Sequence, residues 1–193
     1  MLPKSRWHNG VMSITVCVFC GSRPGSNPSW STASSQLGSE IAMHGWRLVF
    51  GGGGGGLMGE LARGALASHG TVIGIIPNFL TEAEPVIQDL SELYVVESMI
   101  ERKEMMVDVS DIFVVMPGGI GTIEELFEVW TGNHVKAYSK PILIVNLDGF
   151  FDELLTFAKK QYENGFLIER HFSYITVVNT IPEAIAFLQL KAR

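Results

Sequence analysis

Six consecutive glycines, residues 51–56, divide a short apolar run, residues 46–50, from the helix-patterned segment Leu57-Met58-Gly59-Glu60-Leu61-Ala62-Arg63-Gly64-Ala65-Leu66-Ala67. Glycine loses more backbone freedom on ordering than any other residue. A hexamer set between a strand and a helix therefore implies that a ligand or another backbone comes very close, with Gly53 and Gly54 at its centre. A second stretch repeats the scheme. The apolar Asp111-Ile112-Phe113-Val114-Val115 leads through Met116-Pro117-Gly118-Gly119-Ile120-Gly121 to a helix read as opening with Thr122. Strand, glycine turn and amphipathic helix in that order form the βα unit of an open α/β sheet.

The rest of the chain alternates in the same way. Strands are predicted at residues 14–20, 46–50, 71–76, 93–96, 111–115, 141–146 and 174–178, with helices at 29–44, 57–67, 98–109, 151–163 and 182–190 and from Thr122. Gly45 stands where a helix C′ glycine is expected, and Pro182 suits a first helical turn. Residues 78–93, with scattered Glu82, Glu84, Asp89 and Glu92, read as a loop bordering a site. The fold class is α/β, a single-domain, doubly wound, Rossmann-like sheet of about seven parallel strands flanked by helices. It occupies residues 14–193 behind an N-terminal, partly ordered tail at 1–13.

Composition removes whole classes of partner. A net charge of −6 and a pI near 5.3 leave no broad basic surface for nucleic acid or anionic membrane, so a phosphate ligand must be bound locally. Residues 1–13 lack the apolar stretch of a secretory signal, and no apolar run approaches the ~20 residues of a membrane span; a soluble, cytoplasmic protein is expected. Cys17 and Cys20 have redox-motif spacing but lie on one strand, where residues three apart face opposite ways, so two ordinary thiols are expected.

The glycine turn before Thr122 is the main candidate site. Gly118, Gly119 and Gly121 let a ligand approach the backbone, and the helix start offers unpaired N–H groups, together an anion seat suited to phosphate. Ile123, Leu126, Phe127 and Trp130 read as the buried stripe, which puts Glu125 nearly opposite, away from the core. Thr122-x-x-Glu125 equally fits a capping box, in which both side chains serve the helix start. If the seat holds a nucleoside monophosphate, Glu125 is within reach of the ribose, and the helix terminus should keep it ionised.

A second ligand contact is expected at Gly21 and Ser22, in the turn after the first strand. The helical segment Glu101-Arg102-Lys103-Glu104 contains cations that could balance a phosphate, although alternating charge is also the pattern of a solvated helix face. The glycine hexamer matches the dinucleotide fingerprint trivially. The strand at 71–76 ends in Pro77-Asn78 without the acidic residue that holds a dinucleotide ribose, which argues against a nicotinamide cofactor.

Taken together, Pro117-Gly118-Gly119-Ile120-Gly121-Thr122-Ile123-Glu124-Glu125 with Glu101-Arg102-Lys103 resembles the Lonely Guy family of cytokinin riboside 5′-monophosphate phosphoribohydrolases, often labelled lysine decarboxylase-like. Residues 52–54 with Gly56-Leu57-Met58-Gly59, the Cys20-Gly21-Ser22 turn, and the stretch from Lys140-Pro141 to Asp148-Gly149 are similar to that family as well. The resemblance implies hydrolysis of the N-glycosidic bond of a purine-type nucleoside 5′-monophosphate such as AMP, a step of cytokinin biosynthesis, by a homodimer with neither metal nor organic cofactor.

By matching position, Arg102 and Glu125 are the implied catalytic pair. Lys103, Gly119, Ile120, Gly121, Thr122, Ile123, Glu124 and Thr131 are implied to bind the nucleotide, and Glu84 matches a substrate-contacting acid more loosely. Ile100 stands where members commonly carry His, so that residue's role does not transfer. His134, His171 and Trp130 are read either as bordering a base pocket or as packing or surface residues. A pyridoxal decarboxylase needs a Schiff-base lysine and a fold built around the cofactor, for which one doubly wound sheet offers no clear place. The competing class is a non-catalytic nucleotide-binding or carrier protein, which would use the glycine loops but not the carboxylate.

Overall fold

The computed structural model describes residues 7–8, 11–82 and 86–192, with side chains described from residue 13 onward. Seven strands form one parallel sheet: β1 Thr15–Phe19, β2 Arg47–Phe50, β3 Thr71–Pro77, β4 Glu92–Val96, β5 Ile112–Val115, β6 Ile142–Val145 and β7 Ile175–Val178. Residues of β1, β5 and β6 are buried throughout, as expected of parallel strands covered on both faces.

The helices are α1 Pro28–Met43, α2 Gly56–Ala67, α3 Asn78–Thr81, α4 Met99–Val109, α5 Ile120–His134, α6 Asp152–Glu163, α7 Glu169–Phe172 and α8 Ile181–Lys191. Among the described residues, no helix is long and apolar enough to cross a membrane.

Across the sheet the order is β4-β3-β2-β1-β5-β6-β7. The chain winds from β1 to one edge and then returns to lay β5 against the other side of β1, in the register Val16↔Ile112 to Phe19↔Val115. That reversal is the place where doubly wound sheets open a crevice at the carboxyl ends of their strands.

Alternation along the strands divides the core in two. Val16, Val18, Leu48 and Val114 pack with Leu37, Ile41, Leu61 and Leu188 of α1, α2 and α8. Cys17, Phe19, Val49 and Phe113 pack with Met106, Leu126 and Val129 of α4 and α5. Cys17 and Cys20 thus belong to opposite cores, and both are free thiols.

Within the segment read as a partly ordered tail, Trp7–His8 and Val11–Met12 form a short antiparallel ribbon, while residues 1–6, 9 and 10 lie outside the described residues. Two sequence expectations need correction. The loop predicted at 78–93 carries the one-turn helix α3, and Val86 forms an isolated bridge with Gly53. Helix α5 opens at Ile120 rather than Thr122, because Gly119, in extended conformation, is its N-cap.

Candidate functional site

The carboxyl ends of β1 and β5 are tied together directly. Gly21 N–H donates to the Pro117 carbonyl at 3.0 Å, and Met58 N–H at the start of α2 donates to the Gly21 carbonyl at 3.2 Å. A cavity of about 620 Å³ opens over this junction. Gly21, Ser22, Gly119, Ile120, Gly121 and Thr122 line it on the glycine-loop side, and Arg102, Glu124 and Glu125 on the helical side.

The α5 start has no side-chain cap. Its first amides, which no helix can pair internally, are left without a capping side chain and belong to residues that line the cavity. A Cβ built on Gly119 or Gly121 would meet no protein atom within 4 Å, so the space above these two residues is open to a ligand. Gly118 differs: a Cβ there would sit 2.1 Å from Thr122 Oγ1 and 2.9 Å from Gly21 N, so this glycine serves the packing of the turn itself.

Thr122 and Glu125 do not form the capping box that their spacing allowed, since Thr122 lies within the first turn, past the Gly119 cap. The buried face of α5 carries Thr122, Glu125, Leu126, Val129, Trp130 and Asn133. Glu125 thus lies on the inward side, contrary to the stripe read from the sequence, and Ile123 and Phe127 are only half-buried. The signal was ambiguous because the true inward stripe includes polar residues that an apolar count passes over.

Glu125 is 9% exposed and its Oε1 lies 3.9 Å from Arg102 Nη2. Arg102 is buried as well, against the reading of its helix as a solvated charge face. Its Nη2 donates to the Gly51 carbonyl at 3.2 Å, its Nη1 approaches Met99 Sδ at 3.7 Å, and its buried Nε has no hydrogen-bond partner among the described residues. A Cβ on Gly51 would stand 1.9 Å from Arg102 Nη2. One of the six glycines is therefore explained by the protein's own guanidinium.

Burial pushes the Glu125 carboxyl up from 4.5 to about 7; Arg102 opposes the shift, Glu124 adds to it, Lys103 opposes it and Glu128 adds to it. The helix terminus therefore does not hold it in the ordinary carboxylate range, as the sequence reading expected. Glu125 stands in the second turn, where the terminal field has faded, and desolvation wins.

Other expected contacts are absent from the described cavity wall. Gly53 pairs with Val86, and the Gly54 carbonyl accepts from Arg63 Nη1, so both answer to the protein's own chain. Ile123 packs against the core beneath α5, and Thr131 is exposed nearly two turns beyond Glu125. Lys103 turns to Glu124 and Glu128. Glu84 lies outside the described residues. Trp130 donates to the His171 carbonyl at 2.7 Å and both are buried packing residues, whereas His134 is exposed and meets His171 edge-on with centroids 4.0 Å apart.

The sequence reading missed the opposite wall. Trp30 and Phe150, in T-shaped contact at 5.2 Å, line the cavity together with Arg23, Met58 and Met99. Asp148, at φ +52°, accepts from Trp30 Nε1 at 3.0 Å and Asn27 Nδ2 at 2.8 Å, fastening the loop after β6 to the start of α1. Only a turn-prone Asp-Gly at 148–149 hinted at this.

A family model described as "Possible lysine decarboxylase" matches residues 58–188. A protein of Rhodococcoides fascians named cytokinin riboside 5′-monophosphate phosphoribohydrolase is 39% identical over 176 residues, covering 91% of this chain and 89% of that one. This chain belongs to the Lonely Guy family. A rice relative of the same family, named "Probable cytokinin riboside 5'-monophosphate phosphoribohydrolase LOGL5", is 43% identical over 152 residues, 79% of this chain and 62% of its own length. The fold extends further than the family's named activity. The molybdenum cofactor carrier protein of Chlamydomonas reinhardtii superposes with a TM-score of 0.72 at 24% identity, over 94% of this chain and 99% of its own.

Proposed function

We propose that this Lonely Guy family member hydrolyses the N-glycosidic bond of a purine-type nucleoside 5′-monophosphate, with adenine or an N6-substituted adenine as base, releasing free base and ribose 5-phosphate. The observation that carries the reading is the buried Glu125 beside Arg102, one helical turn beyond an uncapped helix start, in a single cavity.

Phosphate sits on the amides at the start of α5, attracted by the helix terminus. The ribose then extends toward Glu125. The C1′–N bond breaks with its electron pair leaving on the base while a water oxygen bonds C1′. Glu125 takes one water proton and the departing base nitrogen gains one, so the overall change is addition of one water. A carboxylate with proton affinity centred near neutrality suits a general base, and it also offsets positive charge developing on the sugar. Arg102, held by Gly51, places its Nη2 3.9 Å from the Glu125 carboxylate, where its charge faces the reacting end.

A carrier would need the glycine seat but would gain nothing from a buried carboxylate with a raised proton affinity. Incubation with AMP and with an N6-prenylated AMP, followed by chromatography for released base, tests the reading; binding of both without release from either sinks it. The same reading has the enzyme acting in the cytoplasm as a homodimer, which sedimentation equilibrium would test by a mass near twice 21.2 kDa.

A further inference from the structure

The turn after β1 carries a cation with no protein partner. Its backbone is pinned from three sides. Gly21 N–H donates to the Pro117 carbonyl, and the Gly21 carbonyl accepts from Met58 N–H. A Cβ on Gly56, at the start of α2, would stand 2.4 Å from Arg23 N, and one on Gly25, at φ +73°, would stand 2.7 Å from the Trp30 ring of α1. The turn is thus wedged between the start of α2, the Pro117-Gly118 turn and α1. Arg23 is exposed on it and lines the same cavity as Gly119, Ile120, Gly121 and Thr122.

The cavity wall carries four charged side chains among the described residues: Arg23, Arg102, Glu124 and Glu125. Arg102 faces Glu125 and donates to Gly51, and Glu124 is paired with Lys103. The Arg23 guanidinium has neither an ion pair nor a hydrogen bond among the described residues. A second unpartnered polar group in the same wall, the buried Arg102 Nε, independently marks this space as one that a ligand completes. A phosphate dianion seated on α5 meets only about half an elementary charge from the helix terminus, in a chain of net charge −6. A guanidinium supplies a whole charge and a fork of N–H donors matched to two phosphate oxygens.

We infer that Arg23 is a substrate-binding residue: its guanidinium grips the 5′-phosphate from the β1 side while the α5 amides hold it from the other, and so selects phosphate monoesters over the unphosphorylated nucleoside. The inference deepens the hydrolase reading and rests on it for the identity of the substrate, whereas the phosphate contact requires binding alone. Because the phosphate takes no part in the bond change, the contact is equally strong before and during cleavage. Its loss therefore falls on KM and spares kcat.

Calorimetric titration with ribose 5-phosphate and steady-state base release from AMP test the inference, with adenosine as the ligand that lacks the phosphate. Arg23→Gln should weaken ribose 5-phosphate binding and raise KM for AMP about tenfold or more, with kcat held within about threefold. Arg23→Lys, a point charge without the fork, should recover part of the loss. Adenosine binding should be the same in wild type and Arg23→Gln, and added salt should weaken AMP binding more in wild type than in the variant. Equal ribose 5-phosphate affinity in wild type and Arg23→Gln overturns the inference, as does failure of wild type to bind that ligand. Adenosine binding weakened as much as AMP binding also overturns it, since Arg23 would then shape the base or sugar site. A fall in kcat at unchanged KM would do the same, by placing Arg23 in the chemistry. Should Arg23→Gln melt well below wild type, Arg23→Lys carries the same comparison. Absence of base release from wild type would remove the hydrolase reading, while the ribose 5-phosphate titration would still decide the role of Arg23.

Discussion

Arg102 Nη2 stops 3.9 Å from Glu125 Oε1 and gives its hydrogen bond to the Gly51 carbonyl instead, at 3.2 Å. The pair is close enough for charge attraction yet too open for a direct hydrogen bond. A water or ribose hydroxyl could enter between them. A closed ion pair would hold the carboxylate ionised and occupied; this one leaves it basic and available.

The raised proton affinity of Glu125 fixes a stability slope. Between pH 4.5 and about 7 the folded protein holds a proton that the unfolded chain has released, so Glu125 makes the fold less stable as pH rises through that window. Glu125→Gln removes this slope. Urea unfolding should show the variant gaining on wild type by about 1–3 kcal/mol between pH 5 and pH 8, whatever their difference at pH 5.

Activity should move the other way. If ionised Glu125 is the base, kcat/KM for AMP rises with pH through an acidic limb near 7 and then levels off. Glu125→Gln should lose about 10²-fold or more in kcat, and Arg102→Gln should lose activity with its fold retained. A profile that falls as pH rises through 7 would assign Glu125 the role of acid.

The glycines of the turn separate by what they meet. Gly121→Ala places a methyl in open space on the first turn of α5, so it should stabilise the helix by about 0.5–1 kcal/mol while weakening AMP binding about tenfold or more. Gly118→Ala forces a methyl against Thr122 and Gly21 and should cost about 1–3 kcal/mol. Denaturant unfolding paired with calorimetric titration of AMP reads both.

Asp148→Ala removes the acceptor shared by Asn27 and Trp30 at a left-handed backbone position. It should destabilise by about 1–3 kcal/mol, and Asp148→Asn, which tolerates that conformation, by less. Thermal melts of the two variants beside wild type check the order.

The sheet was legible because strand–glycine–helix punctuation is local: seven apolar runs announced seven strands, and Gly118 with Gly119 marked the turn at the switch point. The orientation of α5 was not legible. Glu125 is inward because a cavity lies there, and a cavity leaves no apolar signature. Lys103 and Arg102 could not be told apart either, since adjacent helical residues diverge by about 100° and only the neighbours Gly51 and Glu128, remote in the chain, decide which enters the site. Trp30 and Phe150 were missed for a similar reason: their contact joins the start of α1 to the segment after β6, which only folding brings together.

Thr15 N–H donates to Asp111 Oδ2 at 2.9 Å across 96 residues, at the opposite end of the β1–β5 seam from the cavity. Closing so long a loop is entropically slow relative to local pairing, and the two halves of the seat are not joined before that closure. A polypeptide emerging from the ribosome therefore has no means of holding nucleotide until β5 has docked on β1, and AMP added during refolding should bind only in the final kinetic phase.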